Sequence, residues 1–166
     1  MARVDKNKKL RPSILDRLFD DEPYNQSEQI LEHHQLVKQL RVSIRRDLEA
    51  LLNTRFHLIQ PSSDFPEIDK SIFNYGLPDL ATVNIMDIDR RNKFITHLEN
   101  TLKTYEPRFK SVRVSFIENA DNVDRTLRFR LDTVVYADPI PEVVVYDSIL
   151  DSVTRSVSVK ELSYGR

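Results

Sequence analysis

A chain of 166 residues that is 40% hydrophobic and 31% charged can build one sizeable core under a heavily charged surface. Its formal net charge of −1 gives no electrostatic reason to expect a polyanion partner, and the absence of cysteine removes disulfides, thiolate metal sites and cysteine nucleophiles. With only two glycines, Gly76 and Gly165, neither a phosphate-cradling loop nor a dinucleotide fingerprint nor a glycine-flanked nucleophile elbow can be written.

Residues 1–11 are polar and basic, with no apolar run behind them to make a secretory signal. No stretch approaches the ~20 apolar residues of a membrane-spanning helix, so the expectation is a soluble, cytoplasmic protein that is not membrane-embedded. Pro12 opens a short helix in which Ile14, Leu15, Leu18 and Phe19 share one face. Two turns are marginal alone, so this helix docks either on its own domain or in a partner's groove. The polar run from Asp20 to Ser27 reads as a loop.

A helix is expected over about 28–52, with an N-cap between Ser27 and Ile30 and an apolar stripe of Leu36, Leu40, Ile44, Leu48 and Leu51/Leu52, widened by Val37. Its opposite face, with Lys38, Arg41, Arg45 and Glu49, reads as solvated and laced with charge pairs. After an irregular stretch comes Ser71 to Leu80, where Gly76 predicts a positive φ and Ile72, Phe73, Tyr75 and Leu77 predict a loop pinned by apolar contacts. A helical turn from Asp79 is expected as well.

Asp87 begins the second long helix, with Ile88, Ile95, Leu98, Leu102 and Tyr105 in its buried stripe and Phe94 beside it; Pro107 ends it. Beyond this corner, Val112, Val114 and Phe116 alternate with polar residues, as do Leu127, Phe129, Leu131, Thr133 and Val135, with Arg128 and Arg130 turned the other way. These two strands form an antiparallel hairpin with one wet face. A third strand follows at 143–150, and Val153, Val157 and Val159 indicate a fourth ending near Leu162. A terminal strand of this kind offers an edge that another chain can extend. The resulting fold is α+β, with two long helices and short helical turns on a small, largely antiparallel or mixed sheet from the C-terminal half. The expected organisation is a docking segment at 1–27, the main domain at 28–162 and a tail at 163–166.

Candidate chemistry is thin. His33, His34, His57 and His97 form no metal-ligand motif, and adjacent helical residues project about 100° apart. Glu49, Glu106 and Asp132 can be nominated as paired carboxylates for glycosidic cleavage, but no spacing selects them. No catalytic, metal or cofactor site is assigned, and no nucleic acid or small-molecule substrate is expected. What remains is Glu106-Pro107-Arg108. Arg108 can complement the preceding helix dipole while Glu106 pairs with a surface lysine, or the charged corner can steer and register a partner.

Four stretches in order carry a family resemblance. They are Leu10 to Pro23 (LRPSILDRLFDDEP), Ile44 to Arg55 (IRRDLEALLNTR), Ser71 to Leu80 (SIFNYGLPDL) and Tyr105-Glu106-Pro107-Arg108. Together, across about residues 10–162, the chain resembles the TssE family of type VI secretion baseplate subunits, related to the small wedge protein of contractile phage tails. The resemblance implies a non-enzymatic baseplate subunit, at the inner-membrane complex, on which the contractile sheath starts to polymerise. It implies sheath contact through Glu106, Pro107 and Arg108, strand addition to the sheet, and engagement of other wedge subunits by the N-terminal segment bearing Leu15, Leu18 and Phe19. Relatives labelled lysozyme-like make a peptidoglycan-cleaving enzyme the alternative. On this reading Arg108→Glu should spare the fold and abolish sheath assembly.

Overall fold

A computed structural model describes Asp16, Leu18, Tyr24, residues 32–55, 64–65, 67–68, 71–78, 88–117, 126–137, 140–151, 154 and 156–162. Helix α1 runs His33–Asn53 and helix α2 runs Ile88–Tyr105, with a 3₁₀ turn at Ile72–Asn74 between them. Four strands follow: β1 Phe109–Ile117, β2 Leu127–Val135, β3 Glu142–Leu150 and β4 Val157–Leu162. They pair antiparallel in the order β1-β2-β3-β4, so the sheet is a simple meander with β1 and β4 at its edges. The expected α+β class holds, and the sheet is antiparallel throughout. Among the described residues the one parallel contact is an isolated bridge, Arg55 with Leu77.

Alternation fixes which face is covered. Along β2 the residues Leu127, Phe129, Leu131, Thr133 and Val135 are buried while Arg128 and Asp132 are exposed. Registered opposite them are Leu150, Ser148, Tyr146 and Val144 of β3, also buried. Helix α1 packs on β4 and α2 on β1, and Ile44, Leu48, Leu51, Leu52, Leu98 and Leu102 join the strand residues in one core. Each fully buried leucine of this kind contributes about 1.5–3 kcal/mol. Neither described helix packs on the opposite face, where Arg130 pairs across strands with Asp147 at 2.9 Å.

Several boundaries differ from the sequence expectation for identifiable reasons. Residues 27–31, with the expected N-cap, lie outside the described residues, and α1 is described from His33, where the Gln35 Oε1 accepts from the Glu32 N–H at 2.9 Å. In α2 the buried positions are Phe94, Leu98, Thr101 and Leu102, while Ile88 is exposed at the first turn. β1 starts earlier than expected because a bulge at Lys110 lets both Phe109 and Val112 face the core. β4 is described from Val157; Val153, and the turn expected from Asp79, fall outside the described residues.

Arg41 is the clearest correction on α1. It does not sit on a solvated face but reaches the sheet, binding Glu142 at the start of β3 and Glu161 near the end of β4 (3.2 Å to the latter). Beside it the fully buried Tyr146 has a hydroxyl without a hydrogen-bond partner among the described residues. Burial and the Glu161 carboxylate push that phenol well above its ordinary pKa.

Candidate docking corner

The corner after α2 is built by backbone first. Helix α2 ends as the Glu106 N–H donates to Leu102 O at 2.9 Å, and the Phe109 N–H then donates to Glu106 O at 3.1 Å. That closes a four-residue turn with Pro107 at its second position, where the ring's fixed φ is favourable. Arg108 O accepts from the Tyr136 N–H at 2.8 Å, which ties the corner to the end of β2.

The side chains then lock together. Arg108 Nε and Nη2 donate to the two Glu106 carboxylate oxygens at 2.6 and 2.5 Å, a bidentate pair. On its other side Arg108 Nη2 donates to Asp47 at 2.7 Å and Nη1 to the Ser43 hydroxyl at 3.1 Å. Ser43 and Asp47 lie one turn apart on α1 and so share a helix face. The Ser43 hydroxyl donates to Asp16 at 2.7 Å; Arg46 donates to Asp16 at 2.8 Å and to Asp47 at 3.1 and 3.0 Å. Burial alone would lower the Arg108 pKa; the bonds and charges of Glu106 and then Asp47 more than reverse this and raise it.

Neither sequence-based picture of the corner is complete. Glu106 pairs with its own neighbour Arg108 rather than with a surface lysine, and it is buried at 5% exposure. The Glu106–Arg108 pair is therefore a brace between α1, α2 and β1, and Arg108→Glu cannot be expected to spare the fold. Pro107 is the exposed member of the three. It borders an open groove of about 410 Å³ lined also by Asp47, Leu51, Tyr75, Tyr105, Glu106 and Arg108.

Of the apolar residues expected to pin the loop, Tyr75 and Leu77 are packed down. Leu77 is fully buried, and Tyr75 meets the Tyr105 ring edge-on at 5.3 Å. Tyr105 in turn donates its hydroxyl to Ser71 O at 3.0 Å. Ile72 and Phe73, by contrast, are 83% and 54% exposed on the 3₁₀ turn. Gly76 has φ +119°, as its lone position suggested.

Of the N-terminal candidates, Leu18 is 75% exposed, whereas Leu15 and Phe19 lie outside the described residues. Two of the nominated carboxylates, Glu106 and Asp132, do not share a cleft, and the third, Glu49, is half-buried on α1. Glu106 is locked under the corner, and Asp132 is exposed on the sheet face away from the two helices, in register with Arg113. His33, His34 and His97 are exposed, His57 lies outside the described residues, and no three metal-ligating side chains cluster among the described residues. No described helix is long and apolar enough to cross a membrane. The residues that sequence reasoning missed are Asp16, Ser43, Arg46 and Asp47. The available signal was a serine at a buried-stripe position of α1 with a charged pair three and four residues on.

Residues 38–140, more than half of the chain, match the family described as Baseplate wedge protein gp25. The chain belongs to this family. It is a baseplate wedge component of a contractile tail-like system, structural rather than enzymatic, and its partners are other baseplate and sheath proteins. The match takes in most of α1, all of α2, β1 and β2, and three of the four stretches singled out above, including the corner. A comparison with curated proteins gives no significant match.

Proposed function

We propose that this baseplate wedge component is the TssE-type subunit of a type VI secretion system, working in the cytoplasm in a baseplate docked at the inner-membrane complex. In this reading residues 28–162 form the wedge domain that starts sheath polymerisation, and residues 1–27 engage other wedge subunits through Leu15, Leu18 and Phe19. The observation that carries the docking role is the corner itself. The buried Glu106–Arg108 brace holds an exposed proline at the mouth of a groove walled by Leu51, Tyr75 and Tyr105. A rigid apolar surface beside fixed charges loses little side-chain entropy on binding, as partner recognition requires.

The two sheet edges are unequally suited to strand addition. On β1 the outward N–H of Val114 is held by Glu99 of α2 at 2.9 Å, so an added strand must displace a carboxylate from mid-edge. On β4 the turn bond from the Asp151 N–H to Ser156 O sets the phase, turning the backbone groups of Val157, Val159 and Glu161 away from β3. The Asn53 amide satisfies both groups of Val157, each at 2.8 Å. No described residue caps Val159 or Glu161 in this way. We assign the sheath's strand to β4, with Asn53 marking where the added strand stops.

Docking at the corner is tested with Pro107→Arg, which places a bulky cation at the exposed position and leaves the brace intact. The expected result is an unfolding midpoint within a few degrees of the parent and sheath assembly, counted by fluorescence microscopy, reduced more than tenfold. Sheath counts equal to the parent's would remove the corner from the interface.

A further inference from the structure

The corner and the N-terminal segment, far apart in sequence, are joined by a closed ring of side chains. Asp16 accepts from Ser43 and from Arg46; Ser43 accepts from Arg108; Arg46 and Arg108 both donate to Asp47. Asp16 thus reaches Arg108 by two routes, one through a single hydroxyl and one through an arginine and an aspartate. Its carboxylate is 19% exposed and Ser43 is 5% exposed, so the ring is partly shielded from water, where such bonds polarise one another.

The direction of the Ser43 bonds matters. Its one hydrogen goes to Asp16, which leaves its lone pairs to receive Arg108. An anionic acceptor on the hydrogen side makes the oxygen a better acceptor on the other. With Asp16 withdrawn, the hydroxyl loses that polarisation, and Arg46 loses an anion and draws more of Asp47 toward itself. Arg108 is weakened at Ser43 and at Asp47 together, keeping Glu106. The charge of the set changes as well. Asp16, Asp47 and Glu106 against Arg46 and Arg108 sum to −1, and without Asp16 the remaining four sum to zero.

We infer that Asp16 is a latch: it ties the N-terminal segment to the corner, so that drawing the segment away loosens Arg108 and removes one negative charge beside it. The coupling is a property of the chain alone; its use in assembly rests on the docking roles proposed above. Where both roles hold, a wedge partner that pulls on the N-terminal segment prepares the corner for the sheath, and by reciprocity a partner at the corner eases release of the segment.

The test needs no partner. In the full-length chain, hydrogen exchange of the arginine Nη–H groups, which in Arg108 hold Ser43 and Asp47, is followed by ¹⁵N side-chain NMR for the parent, Asp16→Asn and Ser43→Ala. Arg130, whose Nη2 donates to Asp147 across the strands at 3.4 Å, serves as the internal reference. The expected result is exchange at Arg108 accelerated several-fold in both variants, more in Ser43→Ala, with Arg130 unchanged. Arg108 exchange unaltered in Asp16→Asn would overturn the latch, whatever Ser43→Ala does. So would equal acceleration at Arg108 and Arg130, which would mean general loosening.

Discussion

Arg108→Glu is expected to lower the stability of the isolated domain by about 3 kcal/mol, toward the lower end of what breaking a buried ion pair costs, because the arginine is 23% exposed. The loss has two sources. Glu106, with its side chain 6% exposed, is left without the guanidinium that satisfies both of its oxygens, and a third carboxylate is pressed against Glu106 and Asp47. Urea denaturation measures this as a fall in midpoint with unchanged slope. Removing the charges together should hurt less than removing one: Glu106→Gln/Arg108→Met is expected to be more stable than Arg108→Met. A double variant no better than the single one would show that the brace is not the source of the loss. Because the fold is affected, a failure of Arg108→Glu to assemble sheath says little about contact, which is why Pro107 is the better probe of the interface.

Gly76→Ala is expected to be the other large loss, about 3 kcal/mol or more, since it adds backbone strain of about 1–3 kcal/mol to a steric overlap. A Cβ at Gly76 would sit 2.5 Å from the Thr54 carbonyl oxygen and 2.8 Å from its carbon, and φ of +119° is a conformation L side chains rarely adopt. The obstacle is backbone at the exit of α1, held in place by the Leu77 N–H donating to Thr54 O at 2.9 Å, so it cannot swing aside. Relief requires the loop to lift, which takes Leu77 out of the core and Tyr75 off Tyr105. A thermal melt reads the loss, and loss of the Tyr75–Tyr105 nuclear Overhauser contacts localises it. A midpoint within two degrees of the parent, with those contacts intact, would contradict the account.

Periodicity carried the fold a long way because the two helices pack on one face of the sheet and not on the other. The alternation in 127–135 was legible residue by residue, Arg128 and Arg130 included, and so was the stop at Pro107. What local pattern could not carry was burial by distant partners. Arg41 looks solvated until Glu142 and Glu161, 101 and 120 residues away, are brought to it. Phe109 was hidden by a bulge that breaks the period of two. At the corner the two charges were evident from their adjacency, but not the arrival of Ser43 and Asp47 from α1 to hold the far side of Arg108. The glycine was the easiest feature to read, since a chain with one internal glycine has few other ways to make a turn of that hand.

The proposed start of a sheath by strand addition to β4 is tested by amide hydrogen exchange on the assembled complex. Exchange is measured for the isolated chain and for the chain recovered with sheath subunits bound. The amides of Val159 and Glu161, fast in the isolated chain, are expected to become protected by at least a hundredfold, while Val112 and Phe116 on the β1 edge are unchanged. Protection appearing on β1 instead, or fast exchange persisting at Val159 and Glu161 with the sheath attached, would contradict strand addition to β4.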